Sequence, residues 1–335
     1  MEATTSQQDF FPLVSIAVIT KDRREDLLRL LESLAGLDYP RDCFEVVLLE
    51  EADTDLTCPL PPYIHYHRIP RENRGYGYAR NRSVELCRHD LVAFTDDDCR
   101  LDPAWLRELV APLVDPLVAG VAGAVRTDSP GAVGQAEIVL GFPGGGLKRF
   151  HLSGGRVVPT GHLSTCNCLY RKAVLREVGV FRAAGSEDFE LAERITARHR
   201  CVYAPRALLN HRARGSLSAV LWWFHGRGRQ QVYLISTIGR GRWARLCWNL
   251  GTSLTLRAAT LVLLAGLTGL IGLLPPALLG YYLALVWRYR FSYRYLGRWD
   301  VLWVTPLVKV VMDLGLDSGK LHQSWRLLVG RRDLR

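Results

Sequence analysis

Short apolar runs alternate with helical patterns through the first 210 residues, and this alternation limits the possible fold more than any other feature. Val14–Thr20 reads VSIAVIT, a β-rich run, and leucines then recur at helical spacing between Arg24 and Leu37. The other elements predicted in this region are strands at Phe44–Leu49, Ile64–Ile69 and Leu91–Thr95 and a helix at Tyr78–Cys87. Strands that alternate with helices predict an α/β fold with a mostly parallel sheet flanked by helices on both faces.

Acidic residues follow two of these strands. Glu50 and Glu51 come after the second run, and Asp96, Asp97 and Asp98 come directly after the fourth. Ligands of such sheets bind beyond the carboxyl ends of the strands. Adjacent carboxylates raise one another's pKa unless a cation neutralises them, and Mg²⁺ or Mn²⁺ prefers oxygen ligands. Asp96 and Asp98 are therefore candidate metal ligands, although a solvated acidic turn would contain the same triplet.

A second acidic group, Glu187 and Asp188, opens a predicted helix. Ser186 could cap this helix, and the helix dipole favours acidic residues in a first turn, so the group has an ordinary structural explanation. His211 follows the apolar run Ala207–Leu209, where a lone histidine is more often structural than a ligand. Local pattern alone therefore assigns neither group to a site.

The charge of the chain is divided unevenly along its length. Residues 1–211 contain 25 basic and 29 acidic residues, whereas residues 212–335 contain 18 basic and 4 acidic residues. The basic part brackets Ala258–Trp287, which has 30 residues and no charge, and a bilayer crossing needs roughly 20 apolar residues. Basic clusters beside apolar helices favour an anionic membrane surface over nucleic acid as the partner. The hydrophobic content of 48% excludes an intrinsically disordered chain.

The apolar stretch is predicted to form a hairpin. Pro275 and Pro276 lie near its middle and should break the helix there. Arginines flank the stretch on both sides, so the positive-inside rule places both ends in the cytoplasm. The hairpin would then be either membrane-spanning or re-entrant, and a buried helical pair in a soluble domain is the alternative.

The amino terminus and the cysteines agree with a cytoplasmic location. MEATTSQQDFFPLVS lacks the charged start and apolar core of a signal peptide, so we expect the amino-terminal part to lie on the cytoplasmic face of the cell membrane. The eight cysteines are scattered and predict neither a zinc site nor a disulfide framework.

Five sequence blocks occur in an order that resembles the family 2 glycosyltransferases of the GT-A fold, over residues 12–215. The blocks are VSIAVITKDRR, VVLLEEADTD, NRGYGYARNRSVELCRHDLVAFTDDDC, STCNCLYRKAVLREVGVFRAAGSEDFELAERI and NHRARGS. The resemblance implies a Rossmann-like sheet in which Asp96 and Asp98 form the DxD motif and hold Mg²⁺ or Mn²⁺ against the diphosphate of a nucleotide-sugar. It also implies that His211 completes the metal site and that Asp188 is the base that deprotonates the acceptor hydroxyl.

The resemblance also assigns donor-binding residues, with some departures from the family pattern. These residues are Thr20, Asp22, Glu50, Glu51, Arg80 and Asp97. The family usually carries two aspartates where this chain has Glu50 and Glu51, and it usually has a proline and an asparagine where this chain has Ile19 and Asp22. In the family, one residue of this acidic pair contacts the nucleobase of the donor. That contact is the assignment most affected by these differences.

Single sugar addition is the reaction that the resemblance favours. The Q-x-x-R-W motif of processive synthases is missing, because Gln231, Val232, Tyr233 and Leu234 follow Gln230. We therefore expect an inverting transfer from a UDP-sugar or GDP-sugar to a lipid-linked or glycan acceptor, in cell-envelope or polysaccharide biosynthesis. A non-catalytic membrane scaffold with a degenerate transferase domain is the alternative.

A dinucleotide-dependent oxidoreductase would share the α/β pattern. Its G-x-G-x-x-G fingerprint appears only as Gly75-x-Gly77-x-x-Arg80, which lacks the third glycine. This class of enzyme is therefore disfavoured.

The sequence predicts four regions. A catalytic domain covers 1–215, a basic amphipathic linker 216–250, the apolar hairpin 251–290, and interfacial amphipathic helices 291–335. Within the linker, His225–Arg229 could be a flexible cationic loop over the diphosphate or a basic patch at the membrane surface. The last region has an apolar helical face that either the membrane interface or ordinary packing would explain.

Overall fold

The computed structural model of the chain describes residues 11–57, 59–182, 186–237, 247–248, 251 and 253–330. The chain divides into two compact units, and each unit is built from two segments. The first unit consists of Met1–Arg126 and Arg149–His211, and the second consists of Thr127–Lys148 and Arg212–Arg335. The four regions expected from the sequence stay a prediction, and the structural units differ from them chiefly by assigning residues 127–148 to the second unit.

Four strands of the first unit are parallel, and two of them, β2 and β4, end in the expected acidic residues. They are β1 Val14–Thr20, β2 Phe44–Glu51, β3 Ile64–Ile69 and β4 Leu91–Asp96, in the spatial order β3-β2-β1-β4. Thr20 pairs with Glu50 across β1 and β2, and Ile19 pairs with Asp96 across β1 and β4. The strand ends therefore lie side by side, as the sequence predicted.

The remaining strands make the sheet mixed rather than mostly parallel. They are β5 Cys99–Leu101, β6 Val118–Arg126, β7 Val158–Pro159, β8 Asn167–Arg171 and β9 Arg200–His211. β8 is antiparallel to both β4 and β6, because it enters the sheet between them from the opposite direction. β9 is parallel to β6 and antiparallel to β5 and β7. The predicted α/β fold is confirmed, with this correction to the strand directions.

The part of the chain that the structure describes before β9 contains seven α-helices. They are α1 Arg24–Ala35, α2 Tyr76–Leu86, α3 Trp105–Val110, α4 Ala132–Val139, α5 Gly146–Ser153, α6 Lys172–Val178 and α7 Glu187–Thr196. α1 buries Leu27, Leu30 and Leu34, which recur at helical spacing on one face. Phe94 of β4 contacts Tyr170 and Phe181 edge to face in the core of the first unit.

The described helices after β9 are α8 Leu217–Thr237, α9 Leu254–Leu267, α10 Leu274–Arg288, α11 Phe291–Leu296 and α12 Trp299–Leu328. α8 packs closely along α12, because glycines remove side chains from the contact. A Cβ atom at Gly228 would lie 2.0 Å from the carbonyl oxygen of Leu316, and one at Gly319 would lie 1.9 Å from that of His225. His225–Arg229 therefore lies within a packed helix, whereas a flexible loop over the diphosphate was one of the two alternatives for this segment.

The two apolar arms predicted for the hairpin are present, but the break between them is displaced. α9 ends at Leu267, Gly269 adopts a left-handed conformation with φ of +71°, and a 3-10 turn covers Leu270–Leu273. Pro275 and Pro276 occupy the first turn of α10, where a missing N–H costs no hydrogen bond. The glycine, not the proline pair, thus ends the first arm. Within the described residues, Leu270–Arg288 is the one helix long and apolar enough to cross a membrane.

Candidate active site

The pairing of β5 with β9 brings a histidine to the aspartate triplet. β4 ends at Asp96, a tight turn carries Asp97 and Asp98, and β5 begins at Cys99 opposite His211. His211 Nε2 lies 3.3 Å from Asp98 Oδ1. One potential ligand atom from each of Asp98, Cys99 and His211 lies within 4.8 Å of the other two, so these residues form a candidate metal site.

The electrostatics of this cluster fit a divalent cation. Asp98 Oδ1 is buried and accepts no hydrogen bond from any residue that the structure describes. Burial raises the pKa of Asp98, and the neighbouring His211 opposes that rise. Burial also raises the pKa of Cys99 well above its usual range, and a soft sulfur ligand suits Mg²⁺ or Mn²⁺ poorly. The donor of this cluster that suits Mg²⁺ or Mn²⁺ is therefore the Asp98 carboxylate, and the His211 imidazole is a nitrogen donor beside it.

Arg23 is a neighbour of the triplet that sequence reasoning missed. Its Nη1 atom donates to Asp97 Oδ1 at 3.1 Å and to Asp98 Oδ2 at 3.0 Å, while 47% of its side chain stays exposed. Burial lowers the pKa of Arg23, but the charges of Asp97 and Asp98 outweigh it and raise the pKa. The sequence KDRR does not show which arginine, Arg23 or Arg24, contacts the triplet, because the conformation of the turn after β1 decides it.

Thr20 and Asp97, both predicted as donor-binding residues, contact each other. Thr20 Oγ1 donates to Asp97 Oδ2 at 2.7 Å. Asp97 is 4% exposed, and burial raises its pKa to about 6 although Thr20 and Arg23 act in the opposite direction. These contacts connect the ends of β1 and β4 and hold the turn that presents Asp98.

Arg80 joins the two acidic groups of the sequence. This buried residue of α2 donates to Asp96 Oδ1 at 3.1 Å and also to Glu187 Oε1 at the start of α7. Burial would lower the pKa of Arg80, but Glu187 and Asp96 raise it more. Burial raises the pKa of Glu187, and Arg80 opposes that effect. The ion-pair chain fixes the start of α7, and with it Asp188, relative to the end of β4.

Asp188 follows Glu187 in the chain and accepts hydrogen bonds from two other groups. Ser164 Oγ donates to Asp188 Oδ2 at 3.2 Å, and the N–H of Phe189 donates to Oδ1 at 2.8 Å. The expected cap at Ser186 is not formed. Ser186 has a φ of +56°, which lies outside the extended region that a helix cap needs, and its buried hydroxyl has no hydrogen-bond partner in the described part of the chain.

A cavity of about 520 Å³ lies at the carboxyl ends of β1 and β2. Glu50 and Asp22 line it, and both are held by neighbours: Tyr66 OH donates to Glu50 Oε2 at 2.8 Å, and Arg71 pairs with Asp22. Glu51 is held outside this lining, where Lys21 Nζ donates to its Oε1 atom at 2.9 Å. Burial would raise the pKa of Glu51, but hydrogen bonds from Lys21 and from a backbone N–H lower it.

Comparisons with known proteins show which proteins this chain resembles. Residues 15–179, just under half of the chain, match the family model of glycosyl transferase family 2. Glycosyltransferase AglE of Haloferax volcanii is 25% identical over 241 residues, which cover 69% of this chain and 77% of that protein. The pre-mycofactocin glycosyltransferase of Mycobacterium tuberculosis is 25% identical over 218 residues, which cover 61% of this chain and 43% of that protein.

The fold is also found in a solved structure. The mannosyltransferase PcManGT from Pyrobaculum calidifontis, in complex with GDP-Man and Mn²⁺, superposes with a TM-score of 0.60 at 20% identity. The superposition covers 91% of this chain and 88% of that chain, which shows a shared fold. The family model and the curated relatives identify the chain as a glycosyltransferase, and the family-model match supports its placement in family 2.

Proposed function

We propose that this glycosyltransferase moves a single sugar from a nucleotide-sugar of the UDP or GDP type to a lipid-linked or glycan acceptor. The transfer inverts the anomeric centre and takes place on the cytoplasmic face of the cell membrane, in cell-envelope or polysaccharide biosynthesis. The observation that carries the proposal is the buried Asp98 oxygen beside His211, in the same strand-end cluster that the Arg80 ion pairs connect to Asp188. The GDP-Man and Mn²⁺ in PcManGT support the donor class and the metal.

The donor would be held by the strand ends of the first unit. In this proposal Asp96, Asp98 and His211 hold Mg²⁺ or Mn²⁺, and a bound ion neutralises the negative charge that develops on the diphosphate leaving group. Glu50 and Asp22 receive the nucleoside in the cavity at β1 and β2. The other proposed donor residues would position these groups through hydrogen bonds and ion pairs. They are Thr20, Glu51, Arg80 and Asp97.

Asp188 would perform the proton transfer. A hydroxyl is a poor nucleophile until its proton is removed, and a positioned base contributes roughly 100- to 10,000-fold to the rate. The hydrogen bonds from Ser164 and from the N–H of Phe189 fix the orientation of this carboxylate. Attack on the face opposite the leaving group in one displacement produces the inverted product.

The test compares Asp188→Asn with Asp98→Asn in the full-length protein. For Asp188→Asn we expect single-turnover rates to fall at least about 100-fold while the calorimetric affinity for the nucleotide-sugar barely changes. Asp98→Asn should weaken metal-dependent donor binding and turnover together. Glu193→Gln removes an exposed carboxylate from the same helix as Asp188 and is the matched control, with unchanged kinetics. Near-normal chemistry in folded Asp188→Asn protein would eliminate the proposed base.

The substrate and the metal are tested on the same preparation. A panel of UDP-sugars and GDP-sugars is incubated with membrane extracts, and label is followed into the lipid phase. Chelation with EDTA should abolish turnover, and added Mn²⁺ should restore it. Full activity in the presence of the chelator would contradict the metal assignment.

Membrane association is supported by the exposed surface of the second unit. Leucines along α9 and α10 are exposed although these helices carry almost no charge. α12 buries Val301, Val308 and Met312 and exposes an apolar stripe along its length. The stripe consists of Trp299, Trp303, Leu307, Val310, Leu314, Leu321, Trp325 and Leu328. Tryptophans at both ends of such a stripe are typical of a helix that lies in the membrane interface.

A further inference from the structure

The apolar hairpin formed by α9, the turn Thr268–Leu273 and α10 is attached to α12 at two points. The N–H of Thr255, in the first turn of α9, donates to Asp317 Oδ2 at 3.1 Å. Tyr282 of α10 donates through its hydroxyl to the carbonyl of Trp303 at 2.7 Å, and the two rings stack with centroids 6.2 Å apart. Because these contacts fix both arms, the depth that the hairpin can reach follows from the length of each arm.

Measured from these two attachment points, neither arm is long enough to carry the tip across a bilayer, although Leu270–Arg288 taken whole has that length. From Thr255 to Thr268 the helical rise amounts to about 20 Å, and from Tyr282 back to Leu270, including the 3-10 turn, it is also about 20 Å. The attachment points on α12, at Trp303 and Asp317, lie about 21 Å apart by the same rise. The two arms therefore converge toward the tip, and the distance from the tip to α12 is shorter than the length of either arm. The hydrocarbon core is about 30 Å thick.

The tip has the chemistry of a segment that stays in hydrocarbon. Thr268–Leu273 reads TGLIGL, has no charge, and exposes Leu270, Ile271 and Leu273. Its polar groups are bonded locally: the N–H and the hydroxyl of Thr268 both donate to the carbonyl of Leu264, at 3.0 and 2.8 Å. A hairpin that spanned the bilayer would place these apolar side chains in water, whereas internally bonded backbone is tolerated in lipid.

The charges of the hairpin lie at its open end. Arg257 is in the first turn of α9, and Arg288, Arg290 and Arg294 follow at the end of α10 and in α11. All four side chains are exposed or partly exposed. Cations at the open end and a purely apolar tip match one anionic lipid surface and the acyl chains beneath it.

We propose that α9, the turn and α10 form a re-entrant hairpin that inserts into a single leaflet, with its tip buried in acyl chains and both ends on one side. The inference rests on the membrane association proposed above and specifies its topology. It places the described residues on either side of the hairpin in the same aqueous compartment.

The experiment measures cysteine labelling by a membrane-impermeant maleimide in sealed vesicles of known orientation. The background is the full-length chain with Cys43, Cys58 and Cys247 replaced by serine, and the cysteines that it retains, Cys87, Cys99, Cys166, Cys168 and Cys201, are buried. The tip is probed separately by Ile271→Cys and by Gly272→Cys, where a side chain would meet open space. The matched control restores Cys247, which is exposed and precedes the hairpin.

A re-entrant hairpin predicts that Cys247 is labelled from one side, that neither tip cysteine is labelled from either side, and that detergent exposes both tip positions. Labelling of the tip from the side opposite to Cys247 would overturn the proposal while leaving membrane association intact. Labelling of the tip from the same side in intact vesicles would show that the hairpin is not inserted. Loss of the protein from carbonate-washed membranes would contradict the topology and the membrane association together.

Discussion

Arg80 shows how a single buried cation can organise this site. Its guanidinium contacts Asp96 and Glu187, so removing it leaves two carboxylates close together and poorly solvated. For Arg80→Met we expect a loss of roughly 3–5 kcal/mol of unfolding free energy, the usual cost of an unpaired buried charge.

The matched control for this prediction is Arg82→Met on the same helix. Arg82 pairs with Glu85 at the surface, and such exposed pairs contribute roughly 0.5 kcal/mol or less. Urea unfolding of both variants in detergent measures the difference. Equal losses would contradict the structural importance of the Arg80 ion pairs.

A pH-dependent prediction follows from Glu45, which lies away from the aspartate triplet. Burial would raise its pKa, but hydrogen bonds from Ser15 and Arg88 lower it below the ordinary value of 4.5. A lowered pKa in the folded state contributes stability above the ordinary pKa, and this contribution is lost as the pH falls through the folded value.

Glu45→Gln should therefore flatten the decline of melting temperature below about pH 5, where the wild type loses this contribution. Glu32→Gln removes an exposed carboxylate from α1 and should leave the decline unchanged. Thermal unfolding across an acidic pH series distinguishes the two variants. Parallel curves for wild type and Glu45→Gln would contradict the prediction.

At the scale of elements, two glycines two residues apart on α8 should respond to alanine in opposite directions. A Cβ at Gly228 would meet the carbonyl of Leu316, so Gly228→Ala should force α8 from α12 and cost about 1–3 kcal/mol. Gly226 faces open space, so Gly226→Ala should stabilise the helix by about 0.5–1 kcal/mol. Melting temperatures that shift in the same direction would disprove the close packing.

Local patterns predicted elements that are defined by their own sequence and missed those defined by distant partners. β1 and β3 have the predicted bounds, because β1 is a short β-rich apolar run and β3 is a short segment that begins and ends with isoleucine. The approach of His211 to Asp98 depends on the pairing of β5 with β9, which no local pattern records. The break of the hairpin was misplaced because a proline pair can also begin a helix.

Local sequence patterns also predicted only the part of the candidate site that does not depend on distant partners. The acidic strand ends were apparent from the order of strands and charges, and the structure brings Thr20 and Asp97 together. The contacts of Arg23 and the burial of Arg80 could not be predicted, because arginine is rarely buried without a partner that only the fold supplies.

At the scale of the whole molecule, the apolar surface of the second unit should determine where the protein resides. Leu264→Lys combined with Leu279→Lys places charges on the exposed faces of both hairpin arms, and a charge in hydrocarbon is costly. We expect this variant to lose carbonate-resistant membrane retention.

The control for this prediction is Leu117→Lys, which alters an exposed leucine of the first unit. Its retention should match that of the wild type in the same fractionation. If the double variant stayed with the membrane as well, other surfaces would be sufficient for association.

The second unit is built from two distant segments of the chain, so its first segment is synthesised well before the second. α4 belongs to Thr127–Lys148 and packs against α12, which ends at Leu328. At about 5 to 20 residues per second, α4 waits on the order of 10 to 40 seconds on the ribosome for that partner to be made. During this interval Ala136, Ile138 and Val139, buried in the finished protein, are available to chaperones or to aggregation. Slow codons in the last third of the gene would lengthen this exposure, so the yield of folded protein depends on the speed of translation well beyond the catalytic unit.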